Sequence, residues 1–303
     1  SRYTLIAKQS VHGFDIIESK DPLKDIVKII GADKLETIGF DNQVSFAYYQ
    51  SLQAIFEGYT LLPQTNFMEE LRMIKDEKEL ATIRKACSIS DRAFTDVLDF
   101  IKPGQTTELQ VANFLDFRMR EYGASGISFE SIIASGYRSA MPHGVASDKK
   151  IQKEEFITMD FGAYYEGYVS DMTRTVYYGD NISDRHVEIY NTVLEAQILG
   201  VNTIKEGIMS DDVDKAVRNF LTEKGYGEYF GHGLGHGIGA EIHELPYLSS
   251  ASHIELKENM VVTSEPGLYF DGWGGVRIED DVVVKKDGRE ILNKSNKELI
   301  ILH

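Results

Sequence analysis

The clearest pattern along the chain lies between residues 80 and 101. Leu80, Ile83, Cys87, Ser90, Phe94, Val97 and Ile101 recur at steps of three and four. That spacing lines one face of a 3.6-residue period and predicts a long amphipathic helix, stopped by Pro103-Gly104. Thr107 with Gln110 has the form of a capping box and opens a second helix, which ends at Tyr122-Gly123. Further helices are predicted over Asp184–Ile204 and Ser210–Lys224, the latter capped by Ser210 and closed by Gly225. Strand-like runs fall at Ser128–Ala134, Phe156–Phe161, Met260–Ser264, Gly275–Val284 and Glu290–Leu292, with Lys286-Asp287-Gly288 as a turn. Helices and an antiparallel sheet within one stretch make an α+β domain rather than a βαβ repeat.

The first 65 or so residues read differently. Tyr3–Ala7 and Thr37–Phe40 alternate like strands, while Asp21–Ile30 and Gln43–Glu57 read as helices. This suggests a small and apparently incomplete α/β module over residues 1–67. Its boundary falls in Leu62-Pro63-Gln64-Thr65-Asn66, with Asn66 and Glu69 as a helix start, and the second domain runs over 68–303.

Composition narrows the function. The 303 residues carry 32 basic and 48 acidic side chains, a formal net charge of −16, and 42% are hydrophobic. An apolar fraction of this size supports a packed core, and the acid excess argues against nucleic-acid or anionic-membrane binding. No apolar run approaches the ~20 residues that cross a bilayer, so a cytoplasmic location is expected. The single cysteine rules out an internal disulfide and any cage of several cysteines. On the helix stripe, Cys87 reads as a small core hydrophobe.

Four acids stand out. Asp160 ends an apolar run, Glu166-Gly167 offers a turn, and Asp171 lies on the return. A hairpin centred near Tyr165–Glu166 sets the two carboxylates opposite each other. Glu265 and Glu279 flank Phe270-Asp271-Gly272-Trp273-Gly274-Gly275, whose midpoint near Gly272 offers the same return. Paired carboxylates repel unless they share a proton or a cation. Between the pairs runs Gly231-His232-Gly233-Leu234-Gly235-His236-Gly237-Ile238-Gly239. Glycine at every odd position disfavours a helix and fits an extended strand with His232 and His236 on one face. Four carboxylates and an imidazole suit two divalent ions: Mn²⁺, Co²⁺, Fe²⁺ or Zn²⁺.

From about residue 68 onward, these segments resemble the dinuclear metallopeptidases of the pita-bread fold: methionine aminopeptidase, aminopeptidase P and prolidase. The resemblance implies that Asp160 chelates one metal, Asp171 and Glu279 bridge both, and His236 and Glu265 complete the other. Manganese is the usual ion of that family. Met141-Pro142-His143-Gly144 and His243-Glu244-Leu245-Pro246 resemble segments supplying substrate-facing histidines, and Arg277-Ile278-Glu279-Asp280 resembles a run of the Xaa-Pro branch. That branch, with a creatinase-like N-terminal module, is closest to the short bacterial aminopeptidases P.

The implied reaction is hydrolysis of the bond between an N-terminal residue and a following proline, by a hydroxide bridging two metals, in a homodimer. Glu265 is expected as general base, with His243 and His143 as donors to the oxyanion. Arg277 is expected to orient Glu279 or Asp171, and His232 to wall the proline pocket. Tyr247 stands where some dipeptidases carry an arginine for the substrate carboxylate, which favours an aminopeptidase over an Xaa-Pro dipeptidase. Further alternatives are a methionine aminopeptidase and a non-catalytic binding module of creatinase type. Asp160-Phe161-Gly162 lacks the surrounding motifs of a kinase, and the glycine run lacks the Gly-Lys-Ser/Thr of a phosphate loop.

Overall fold

The computed structural model describes residues 2–31 and 35–303. The chain divides into two compact units, Ser1–Met68 and Glu69–His303. In the first, helices Thr4–Ser10, Pro22–Gly31 and Phe46–Ile55 accompany a parallel strand pair, Thr37–Asp41 with Thr60–Gln64. Two features depart from the sequence reading. Tyr3–Ala7 is not a strand: Ala7 and Val11 donate to carbonyls four residues back, closing helical turns. A five-residue alternation specifies a strand only where a partner exists, and the described strands of this unit pair with each other. The predicted boundary segment begins inside a strand, with Pro63 tolerated because the sheet ends there.

In the second unit, helix Glu77–Phe100 starts at a full capping box formed by Asp76 and Glu79, a signal that the sequence reading did not use. It buries Leu80, Ile83, Cys87, Ser90, Phe94 and Val97, the predicted stripe. Thr107 and Gln110 make their expected capping box on helix Glu108–Glu121, and Ser183 caps helix Asp184–Thr203. Helix Ser210–Glu223 corrects a prediction, since Ser210 is its first turn and not its cap. The hydroxyl donates instead to the Ser252 carbonyl at 3.0 Å.

These helices cover two sheets. One has four strands, ordered Ile300–Leu302, Met172–Tyr178, Glu155–Phe161 and Ile132–Ser135, with only the first pair parallel. The other has five antiparallel strands, ordered Glu244–Leu248, Gly235–Gly237, Val261–Ser264, Asp280–Lys285 and Gly288–Ile291. Helices packed against largely antiparallel sheets make this the expected α+β domain. Among the described residues, no helix is long and apolar enough to cross a membrane.

Cys87 is wholly buried and donates its thiol to Asp281 at 3.2 Å. Burial and the neighbouring carboxylate push the thiol up, away from the reactive thiolate. Native protein is therefore expected to resist a thiol reagent, with labelling following the unfolding curve. Stoichiometric labelling of folded protein would show the helix stripe to be open.

Candidate metal centre

The two predicted hairpins both form, in different registers. Strand Glu155–Phe161 pairs with Met172–Tyr178 so that Asp160 faces Thr173, not Asp171. The turn sits at Glu166-Gly167, both in the left-handed region (φ 46° and 89°), one residue beyond the expected centre. Asp171 therefore lies two residues nearer the turn than the partner of Asp160 and reaches it diagonally. The second hairpin follows the predicted midpoint. Gly267 pairs with Arg277 and Phe270 with Gly274, a register that, carried two residues outward, sets Glu265 against Glu279.

One ligand atom from each of Asp171, His236 and Glu279 lies within 4.8 Å of the others, and all three residues are buried. His236 Nε2 is 3.6 Å from Asp171 Oδ2 and 3.5 Å from Glu265 Oε1. In its short strand, Gly235–Gly237, His236 is flanked by glycines that leave no room for a Cβ. A Cβ on Gly235 would lie 2.2 Å from the Thr263 carbonyl oxygen, and one on Gly237 2.3 Å from that of Leu245. The backbones thus approach closely enough to hold the imidazole among the acids.

The electrostatics are those of a site built for cations. Burial, then the mutual repulsion of Glu279, Asp160 and their neighbours, drives Asp171 well above the ordinary carboxylate range, and Glu279 likewise. Glu265 is pushed up to about 8, mainly by burial. His236 is pushed down to about 3, mainly by burial and then by His243, which leaves a neutral imidazole able to ligate. Asp160 Oδ1, Asp171 Oδ1 and Glu279 Oε1 are buried without a hydrogen-bond partner. Orphaned carboxylate oxygens cost free energy unless a ligand satisfies them, so the donor set fits the divalent ions expected from sequence.

Arg277 reaches one of the expected acids through an intermediary. Its guanidinium meets neither Glu279 nor Asp171 directly. Nη2 bonds Asp160 Oδ2 at 2.6 Å, Nε bonds Thr173 Oγ1 at 3.1 Å, and Nη1 reaches the Tyr269 hydroxyl and the Pro142 carbonyl. Thr173 in turn donates to Glu279 at 2.6 Å, so arginine and glutamate are linked through one hydroxyl.

A cavity of about 490 Å³ opens over this cluster. Asp160, Asp171, His236, Glu265 and Arg277 line it, together with His143, His232 and His243. Glu279 lies behind these residues. The His243 ring sits 4.4 Å from that of His236, and His143 stands exposed at the rim. His232 is pushed down to about 4 by burial and pairs with the Tyr269 hydroxyl at 2.9 Å. Thr173, Tyr269 and Asp281 were missed from sequence. Asp281 accepts the Asp171 backbone N–H at 2.9 Å. Spacing offered a signal, because Thr173 and Asp281 each lie two residues from an expected ligand.

Fold and donor set together define a metal-dependent hydrolase of the pita-bread class. The chain belongs to metallopeptidase family M24, whose model it matches over residues 81–286, and residues 1–74 match the creatinase/prolidase N-terminal domain. It is 47% identical to an uncharacterized peptidase of Bacillus subtilis, over 99% of this chain and 85% of that protein. It is 41% identical to the Xaa-Pro dipeptidase of Pyrococcus horikoshii, over 88% of this chain and 75% of that protein. Among solved structures, an Xaa-Pro dipeptidase from Bacillus anthracis superposes with a TM-score of 0.95 at 46% identity, covering 99% of this chain and 84% of that one. An X-Pro aminopeptidase from Thermotoga maritima superposes with a TM-score of 0.92 at 41% identity, covering 99% and 86%. The protein is thus a metallopeptidase of family M24.

Proposed function

We propose that this enzyme is an Xaa-Pro dipeptidase, cleaving the bond between a free N-terminal residue and a C-terminal proline. The observation that carries this reading is the Asp171–His236–Glu279 cluster under the cavity, in a chain so similar to proteins described as Xaa-Pro dipeptidases. These relatives shift the balance away from the aminopeptidase reading that sequence favoured. Asp160, Asp171, His236, Glu265 and Glu279 would hold two divalent ions, manganese being our assignment. When bound, they supply Lewis acidity toward the scissile carbonyl and water.

The remaining roles belong to side chains. Glu265, ionised once the cations are bound, takes a proton from water and returns it toward the proline nitrogen. His243 and His143 donate hydrogen bonds to the developing oxyanion, each worth ~10²-fold or more in rate. Arg277 fixes the Asp160 carboxylate, and His232 walls the pocket for the proline ring. The proposal extends to a cytoplasmic homodimer, supported by the family resemblance and the acidic charge.

One observation favours an aminopeptidase accepting longer peptides. Among the described residues lining the cavity, Arg277 is the only arginine or lysine, and its guanidinium is already bonded to Asp160, Thr173 and Tyr269. Tyr247 also lines the cavity and offers no cation to a substrate carboxylate. Comparing kcat/KM for Ala-Pro and Ala-Pro-Ala decides between them. We expect at least a tenfold preference for the dipeptide, and a preference for the tripeptide would overturn the dipeptidase reading.

A further inference from the structure

Among the described residues outside the metal cluster, the most heavily bonded buried acid is one that the proposed chemistry does not use. Glu108 opens helix Glu108–Glu121 and is fully buried. Its Oε1 accepts the backbone N–H and the hydroxyl of Ser135, at 2.8 and 2.9 Å. Its Oε2 accepts Arg138 Nε at 2.9 Å, and the Ser147 hydroxyl and N–H at 2.6 and 3.2 Å. A helix start needs no such set of partners. Every donor belongs instead to the two ends of one loop, the segment from Ser135 to Ser147 that carries His143.

We propose that Glu108 is the positioning residue for His143. The loop is gripped from two sides. On the cavity side, Arg277 Nη1 holds the Pro142 carbonyl at 3.2 Å, beside the metal cluster. On the far side, Glu108 ties Ser135 to Ser147, and Arg138, bonded to Glu108, donates through Nη2 to the Val145 carbonyl at 2.5 Å. Between the grips the chain turns tightly, with Gly144 donating to Met141 and Val145 to the His143 carbonyl. A Cβ on Gly144 would lie 3.0 Å from that of Ala134, so the turn is seated on the strand beneath it. The rim position of His143, an exposed side chain with little packing of its own, is therefore set by its backbone. A five-donor carboxylate 35 residues earlier in the chain holds that backbone.

Glutamine at this position keeps the shape but not the function of the acceptor. One of its two ends becomes an NH₂, which meets either the Ser135 donors or the Arg138–Ser147 donors head on. One end of the loop is then released.

The inference rests on the proposed role of His143, and a double-mutant cycle separates the two. Wild type, Glu108→Gln, His143→Ala and the double variant are compared for kcat and KM on Ala-Pro, for bound manganese and for Tm. Glu108→Gln is expected to lose about tenfold in kcat with KM within twofold, while retaining its manganese. In the His143→Ala background the same change should cost less than twofold, because the side chain it positions is already gone. An undiminished tenfold loss in that background would overturn the proposal, as would loss of manganese in Glu108→Gln or full activity in that variant. If His143→Ala itself has wild-type kcat, the role of His143 fails, and the positioning role falls with it for that distinct reason. Should Glu108→Gln not fold, Ser147→Ala, which removes the 2.6 Å donor at one end of the loop, takes its place in the cycle with the same outcomes.

Discussion

Glu279→Gln should lose about 10³-fold or more in kcat/KM on Ala-Pro while its fold is retained. Glu279 is 1% exposed. Its Oε2 takes the Thr173 hydroxyl at 2.6 Å, and its Oε1 is buried without a partner beside Asp171 and His236. Glutamine occupies the same volume and can still accept from Thr173. In place of the orphaned oxygen it presents an NH₂, which cannot ligate a cation, and it removes one negative charge from the donor set. If the ions contribute ~4 kcal/mol to the barrier, losing their site costs about three orders of magnitude.

Two further readings distinguish this from general damage. Bound manganese should fall below two equivalents by elemental analysis, and the metal-free variant should melt no lower than metal-free wild type. The second follows because a repelling carboxylate has been neutralised. Activity within tenfold of wild type together with two bound equivalents would remove Glu279 from the metal site.

What the sequence disclosed depended on how locally each feature is specified. Helices with an apolar period and a cap, such as Glu77–Phe100 and Glu108–Glu121, were legible because both signals lie within the element. The hairpin about Gly272 was legible for the same reason, since its glycines mark the turn. The hairpin about Glu166-Gly167 came out shifted because turn position depends on which residues adopt positive φ, and Glu166 does so without being glycine. The ligand acids were visible as residue types out of place. Their supports were not, because their roles are set across the fold. Glu279, Asp280 and Asp281 are three consecutive acids with three destinations. Glu279 joins the metal cluster, Asp280 makes a buried ion pair with Arg174 at 2.7 Å, and Asp281 takes the Asp171 N–H and the Cys87 thiol. Nothing in a run of acids distinguishes these fates until strand parity and partners are known.

The same cluster predicts how stability responds to pH once the metal is removed. Glu265 has an ordinary value of 4.5 and is pushed up to about 8, and Asp171 and Glu279 are also driven upward. A carboxyl raised in the native state keeps its proton longer folded than unfolded. Its contribution is full below the unfolded value and is lost as pH rises through the native one. His236 and His232, held down to about 3 and about 4 from 6.5, act in the opposite sense, costing stability only as pH falls below 6.5. Between pH 6.5 and about 8 the histidines are silent, and the acids alone set the slope.

Each proton that the native state retains and the unfolded chain has lost is worth ~1.4 kcal/mol per pH unit, on the order of 2 kcal/mol per carboxyl across this window. For a catalytic unit of this size that corresponds to a fall of roughly 4–8 °C in Tm per carboxyl. Bound cations remove the effect by favouring the ionised forms. Asp281, also pushed up to about 8 by burial, adds a slope with and without metal, so the telling quantity is the difference between the two forms. Chelated and manganese-loaded protein melted at intervals from pH 6.5 to 8 should therefore diverge, the chelated form falling faster as pH rises. Parallel curves would mean that these carboxylates do not share a cation, and the metal centre would have to be sought elsewhere.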